Sequence, residues 1–337
     1  MERRPYVFGG DGGLGAEWTR LPMVRPSWVG GVMAGPEFSN ITHQPVLVSE
    51  VLEHLQPGPK RVLVDCTVGL GGHSVAIAPR LLPNGRLIAL DCDAEALDRA
   101  RARLTEFEPN VRFIHENFRY LPEVLKGLNI TRVDGVLADV GVSSLQLDSA
   151  ERGFSFQREG PLDMRMDQDA ELTAEELLHH TPEHELVRLF ETYGEERWSR
   201  RIAKRIVETR RKERIRTTTQ LARLIAETVP SSRGRPSLHP ATRVFQALRI
   251  VVNQELAALE ALLAALPAVL APGGRAVLIS FHSLEDRLVK QAFRRGAQEG
   301  QYRVLTPKPL RPSDEELARN PRARSSRLRA IERIAEA

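Results

Sequence analysis

The stretch Arg61-Val-Leu-Val-Asp-Cys-Thr-Val-Gly69-Leu-Gly71-Gly72-His73 decides the fold. A short β-branched run ends in an acid, passes through a glycine-rich turn and enters a helical pattern from His73 to Leu82. Strand, glycine turn and helix in that order open a doubly wound α/β sheet, in which ligands bind beyond the carboxyl ends of the strands. The unit then repeats. Gly85 resets the chain, Leu87-Ile-Ala-Leu90 runs into Asp91-Cys-Asp93, and Ala94 to Leu104 is rich in helix formers. Val111 to Ile114 reads as a third strand and Val133 to Ala138 as a fourth, ending at Asp139. This alternation predicts a mostly parallel sheet with right-handed crossovers, a Rossmann-like α/β class.

After Gln146 the alternation stops. Residues 149–238 show loops and amphipathic helices without a convincing strand. Ala241 to Leu263 reads as one long helix with Pro240 at its start, Pro272-Gly-Gly274 as a turn, and Ala276 to Ser280 as a returning strand. The expected organisation is one doubly wound domain built from residues 41–148 and 239–337, interrupted by an all-helical, substrate-recognising insertion over 149–238. Residues 1–40 are punctuated by glycines without apolar periodicity and read as a flexible extension. Organised sequence begins near His43.

Composition agrees with a globular chain of this kind. Hydrophobic residues make up 42% and charged residues 27% of the 337, which excludes wholesale disorder. No apolar run approaches the roughly 20 residues of a membrane span, and no signal-peptide core precedes the first domain, so the expectation is a cytoplasmic protein. Two cysteines, Cys66 and Cys92, cannot make a disulfide framework or a zinc cluster, and they read as small buried thiols. Bases exceed acids by 48 to 44, a net +4. That excess does not by itself establish a nucleic-acid partner.

Asp91 lies 22 residues after Gly69, near the ~20-residue spacing at which a second-strand acid binds ribose hydroxyls. Two cofactor classes fit. A dinucleotide fingerprint requires glycine or alanine at position 74, where this chain has Ser74. S-adenosylmethionine has no pyrophosphate; its carboxylate would face the helix N-terminus, with Asp65 toward its ammonium or sulfonium. The motif favours the methyl donor without deciding it, and each acid alone could simply cap the helix that follows.

The later motifs are more specific. They are Asp139-Val-Gly-Val-Ser-Ser-Leu-Gln146, Glu151-Arg-Gly-Phe-Ser-Phe156, Gly160-Pro-Leu-Asp-Met-Arg-Met-Asp167, Tyr193-Gly-Glu-Glu-Arg197, His239-Pro-Ala-Thr-Arg243, Ser280-Phe-His-Ser-Leu-Glu-Asp-Arg287 and Asn320-Pro-Arg-Ala-Arg-Ser-Ser326. Together, from about His43 to Arg329, they resemble the ribosomal RNA small subunit methyltransferase H family, bacterial S-adenosylmethionine-dependent cytosine-N4 methyltransferases. The resemblance implies a Rossmann-like methyltransferase domain carrying an inserted helical domain. It places cofactor contacts on Gly71, Gly72, His73, Asp91, Phe118, Asp139 and Gln146. It implies as substrate a cytidine of the decoding (P-site) region of 16S rRNA, with the small ribosomal subunit as partner; a homodimer is left open.

Cytosine N4 is a poor nucleophile because its lone pair is delocalised into the ring. An acceptor on an N4–H would localise that pair, and Asp139, with the carbonyls of Val140 and Gly141, is the expected one. A base taken out of its stack needs apolar walls. Phe154, Phe156, Met164 and Met166 are candidates for them, as is packing between insertion and sheet. His282 is a candidate for the same pocket, although Ser283-Leu-Glu-Asp286 also reads as a capping box. Asp163, Asp167 and Asp169, and His179, His180 and His184, lack metal-motif spacing, so no metal is expected.

Charge is polarised across the insertion. Residues 163–196 carry 11 acids against two arginines, a net −9, and residues 197–216 carry ten bases against two acids, a net +8. Trp198, Ile202 and Ile206 would form the buried stripe of the basic helix, leaving Arg200 and Arg201 to meet rRNA phosphate. Arg319 to Arg329, with five arginines and no acid, is a second candidate. A nicotinamide-dependent oxidoreductase and a non-catalytic RNA-binding assembly protein remain the competing classes.

Overall fold

The computed structural model describes residues 45–230 and 239–335. The extension read over residues 1–40, and the start near His43, lie outside them. Seven strands among the described residues are β1 (Val62–Asp65), β2 (Arg86–Asp91), β3 (Val111–His115), β4 (Val133–Asp139), β5 (Leu270–Ser280), β6 (Tyr302–Val304) and β7 (Arg327–Arg333). They form one sheet in the order β3-β2-β1-β4-β5-β7-β6. β1 to β5 pair in parallel, while β7 runs antiparallel to both β5 and β6. The order reverses at β1, so a crevice opens between the carboxyl ends of β1 and β4, where Asp65 and Asp139 stand.

Helices cover both faces. α1 (Val48–Leu55), α2 (Gly72–Leu81) and α3 (Ala94–Arg103) lie before β3; α4 (Leu121–Gly127) precedes β4 and the short α5 (Ser144–Asp148) follows it. One apolar core, including Leu63, Ile77 and Leu97, lies on one side of the sheet, and another, including Ile88, Leu262 and Leu266, lies on the other. Between β4 and β5 come α6 (Ala174–His180), α7 (Glu183–Gly194), α8 (Ser199–Arg210) and α9 (Thr218–Thr228). These have a core of their own around Leu186, Phe190, Ile202 and Ile206. That core also takes in Val244, Phe245 and Leu248, so the helical packing unit runs past residue 238 into the next helix.

The single helix read over Ala241 to Leu263 is two: α10 (Ala241–Val252) and α11 (Glu255–Val269), bent by 56°. Gln254 at the break has φ of 50°, a left-handed conformation no helical pattern announces. The bend is held by Asn253, whose Nδ2 donates to the Met164 carbonyl at 2.8 Å and whose Oδ1 accepts from the Met166 amide at 2.7 Å. Arg249 and Glu255 bracket it with a two-point ion pair at 2.7 and 2.8 Å. Apolar periodicity runs through because α10 faces the helical core and α11 the sheet. The last helices are α12 (Ser283–Gln298) and α13 (Asp314–Arg319). No single helix among the described residues is long and apolar enough to cross a membrane.

The sequence reading did not anticipate β6 and β7. β7 carries Arg327, Arg329 and Arg333, which mask its apolar positions. Arg327 and Arg329 are drawn inward by Asp286 of α12, at 3.0 and 2.7 Å. Arg322 pairs with Asp148 at the end of α5. Of the C-terminal arginine stretch, Arg327 and Arg329 are committed to Asp286, while Arg319, Arg322 and Arg324 remain exposed.

Candidate active site

A cavity of about 470 Å³ opens at the carboxyl ends of β1, β2 and β4, a size suited to a small ligand. The glycine turn builds one wall. Gly71 (φ 80°) is the left-handed residue before α2, and a Cβ there would meet Ala100 of α3 at 3.4 Å. Gly72 faces Pro45, which a Cβ would approach to 2.9 Å. Gly71 thus serves turn and helix packing and lies behind the cavity surface, while Gly72 and His73 line it.

Asp91 ends β2 beside that turn and also lines the cavity. Its Oδ2 accepts from the Gly69 amide at 2.8 Å and its Oδ1 from the Asp93 amide at 2.9 Å. The 22-residue spacing seen in the sequence is therefore a direct hydrogen bond that ties the glycine turn to β2. Burial pushes the Asp91 carboxyl up to about 6, against the pull of those two amides. Asp65 sits behind the wall, 1% exposed, accepting from the Ser74 hydroxyl at 2.7 Å and the Thr67 amide at 3.2 Å. Its position corrects the reading of Asp65 as a direct ligand contact. It also gives Ser74 a purpose: the hydroxyl satisfies a buried acid where a dinucleotide turn would have a small apolar residue.

Asp139 closes β4, its amide held by Thr67 Oγ1 at 2.7 Å. Its Oδ2 is 3.8 Å from His73 Nδ1, and its Oδ1 is buried with no hydrogen-bond partner. Burial pushes its carboxyl up to about 6; His73 opposes the shift, while Asp65 and Glu285 add to it. Asp139 lines the cavity, and one oxygen of its carboxylate has no donor within the described residues. Gln146 and Phe118 also line the cavity. Both ends of the Gln146 side chain are occupied: Oε1 accepts from the Ser143 amide in a capping box, and Nε2 donates to Asp93 at 2.8 Å. Asp93 caps α3 and takes a 2.8 Å ion pair from Arg152, buried on both sides. Arg152 further donates to the carbonyls of Arg165 and Met166. This network fastens the loop after β4 to the cofactor side of the sheet. Sequence reasoning missed Arg152 and Asn253; both are lone polar residues in loops or at a helix end, with no periodic signal.

Met166 lines the cavity, but the three other proposed base walls do not. Phe154 (7% exposed) and Met164 (0%) pack the helical core, and Phe156 stacks on His239 and Phe245 at 4.7 and 4.9 Å. For these three, packing is the correct reading, but within the helical core and not between insertion and sheet. His282 is also displaced from the cavity surface. It caps α12 itself, Nδ1 accepting the Glu285 amide and Glu285 Oε2 accepting the amides of Phe281 and His282. The box therefore begins one residue earlier than read. His282 Nε2, Glu285 and Glu255 bring ligand-type atoms within 4.8 Å of one another. With Nδ1 accepting, Nε2 carries the proton and faces Glu285 Oε1 at 3.1 Å but misaligned, while Arg249 occupies both oxygens of Glu255. In this state the ring is a donor and not a metal ligand. Cys66 and Cys92 lie in the cavity wall, and burial holds both thiols well above their usual range, which makes them poor nucleophiles.

The model of the MraW methylase family matches residues 40–334. This chain belongs to the MraW methylase family. Its relatives include proteins named ribosomal RNA small subunit methyltransferase H. The one from Heliobacterium modesticaldum is 46% identical, over 87% of this chain and 98% of that one. The one from Syntrophotalea carbinolica is 48% identical over the same shares. Among solved structures, one described as a putative rRNA-methylase from Clostridium thermocellum is 11% identical, with a TM-score of 0.42 over 86% of this chain and 94% of that one. The cofactor of a MraW methylase is S-adenosylmethionine, and the cavity suits it. Asp91, Phe118, Gly72 and His73 all line that cavity.

Proposed function

We propose that this MraW methylase transfers a methyl group to the exocyclic N4 amine of a cytidine in the decoding region of 16S rRNA, acting on the small ribosomal subunit in the cytoplasm. The observation that carries this reading is Asp139 at the cavity wall, a carboxylate with one oxygen that has no hydrogen-bond partner. A free carboxylate oxygen suits a group that brings N–H bonds, as an exocyclic amine does. The names carried by the relatives support an rRNA substrate.

S-adenosylmethionine supplies an electrophilic methyl on a sulfonium. The chain has to bind the amine, localise its lone pair and hold it in line, with the reacting atoms about 3–3.5 Å apart. Asp139 Oδ1 takes one N4–H, and the carbonyls of Val140 and Gly141, next in the same loop, offer acceptors for the other. Asp139 is fixed for this by Thr67 and by the end of β4. Met166, held by Asn253 and Arg152, gives the base an apolar wall. The segment 149–238, with α10 packed into its core, serves as the substrate-recognising part, and exposed Arg200 and Arg201 on α8 meet rRNA phosphate.

The test is methyl transfer from labelled cofactor to isolated small subunits, read by mass spectrometry of the decoding-region nucleotides. The expected product is a cytidine 14 Da heavier on its base. A label on ribose, on another base or on protein would sink the reading. Asp139→Ala should abolish transfer at saturating cofactor; near-normal turnover there would remove Asp139 from the chemistry.

A further inference from the structure

We infer that His73 takes up the proton released when the amine is methylated, and that His73 and Asp139 hold it together as a buried dyad. This rests on the amine reading above, and goes beyond it by giving His73 a role other than holding cofactor.

The ring orientation carries the argument. His73 is 6% exposed, and its Nε2 lies 2.8 Å from the Val46 carbonyl oxygen. A carbonyl only accepts, so Nε2 must bear a hydrogen. In the neutral ring Nδ1 then has a lone pair, and that lone pair faces Asp139 Oδ2 across 3.8 Å, too long for a hydrogen bond. The pair is one proton short of a bond. Three acids face this point from three elements: Asp65 from β1, Asp139 from β4 and Glu285 from α12. His73 is the group that draws both Asp65 and Asp139 downward. A positive charge on His73, itself 6% exposed, is therefore faced by negative ones.

Methyl transfer breaks the C–S bond, whose electron pair stays on sulfur, and forms the N–C bond with the amine lone pair. The nitrogen becomes cationic and loses its proton to Asp139 Oδ1. A turn of the carboxyl about Cβ–Cγ presents that proton to Nδ1, leaving imidazolium against carboxylate. Before transfer the cavity holds a sulfonium and a carboxylate; afterwards it holds a neutral thioether, an imidazolium and a carboxylate. Net charge in the buried site is unchanged, which removes the penalty of creating or losing charge where solvent cannot reorganise.

The dyad predicts opposite proton linkage for cofactor and by-product, measurable without RNA. Cationic S-adenosylmethionine favours the deprotonated dyad, and neutral S-adenosylhomocysteine tolerates the protonated one. Titration calorimetry of each compound, in buffers of different ionisation enthalpy between pH 6 and 8, reads the protons taken up. Net uptake should accompany S-adenosylhomocysteine alone, and its affinity relative to S-adenosylmethionine should rise by up to about tenfold per pH unit on acidification, the limit for one linked proton. In His73→Gln, the change in the ratio across that range should be several-fold smaller than in the natural protein, leaving only what Asp139 contributes by itself. Equal uptake in His73→Gln would place the proton on Asp139 alone and overturn the inference, as would a pH-independent ratio in the natural protein. Nitrogen chemical shifts of histidine rings in the two natural complexes give a second readout if the variant fails to fold: one ring should gain a proton on Nδ1 only with S-adenosylhomocysteine, and no such change refutes the dyad. Because no base is present, failure here is distinct from failure of the cytidine reading.

Discussion

Replacing Asp139 by asparagine should make the protein more stable near neutral pH while abolishing methyl transfer. Burial, with Asp65 and Glu285 adding to it, raises the Asp139 carboxyl from 3.8 to about 6 in the folded chain. Each unit corresponds to about 1.4 kcal/mol, so the ionised carboxylate destabilises the fold by at most ~3 kcal/mol. A fifth of the side chain (21%) reaches solvent, which brings the expected effect to about 1–3 kcal/mol. The sign follows from the direction of the shift. A folded pKa above the unfolded one stabilises fully below pH 3.8, and that contribution disappears as pH rises through about 6. Asparagine does not ionise, and its amide can donate to His73 Nδ1, where the carboxylate presents only a lone pair. The stability difference between variant and natural protein should therefore move by about 1–3 kcal/mol in the variant's favour between pH 4 and pH 7. Urea midpoints at constant m-value across that range measure it, alongside single-turnover transfer at saturating cofactor. A difference that stays flat with pH, or that moves toward the natural protein, would refute the reasoning.

Three further outcomes are expected. Arg152→Met should destabilise by about 3–5 kcal/mol, because it leaves Asp93 charged and buried with only Gln146 and backbone amides as partners; urea unfolding checks it, and a loss below about 1 kcal/mol would contradict it. Asn253→Ala removes the bonds to Met164 and Met166 at the bend between α10 and α11. It should raise KM for the small subunit several-fold while leaving cofactor affinity within about twofold, as read by kinetics and calorimetry. Charge reversal at Arg200 and Arg201 should weaken subunit binding and lower the salt-dependence slope by about 0.7–0.9 per lost phosphate contact, with cofactor binding unchanged; an unaltered slope would assign this face of α8 to solvent.

Much of the site was legible because it lies at strand ends, where local pattern and topology coincide. Asp91 and Asp139 each terminate an apolar run, and the glycine turn precedes a helix, so alternation alone places them around one crevice. What escaped reading were features made by long-range partners. Arg152 and Asn253 carry no periodicity, and only the folded chain brings Arg152 onto Asp93, 59 residues away, and Asn253 onto Met166, 87 residues away. Phe154, Phe156 and Met164 lie between α5 and α6 and are apolar, which made them plausible walls; three-dimensional packing turns them into the helical core instead.

The sequence by itself determined the sheet class, the places of its parallel strands along the chain, the presence of a helical segment between the fourth and fifth, and the acids facing the cavity. These follow from periods of two and 3.6 residues and from turn chemistry, which are local properties. Tertiary structure decided the bend at Gln254, the antiparallel β7, which of the apolar residues meet the cavity, and the tautomer of His73. Each of these depends on a partner distant in the chain: a carboxylate that neutralises an arginine inside a strand, a core that claims an aromatic ring, a carbonyl that fixes a proton on one nitrogen. Local pattern specifies which residues are available at a site, and their electrostatic and packing partners set what each one does there.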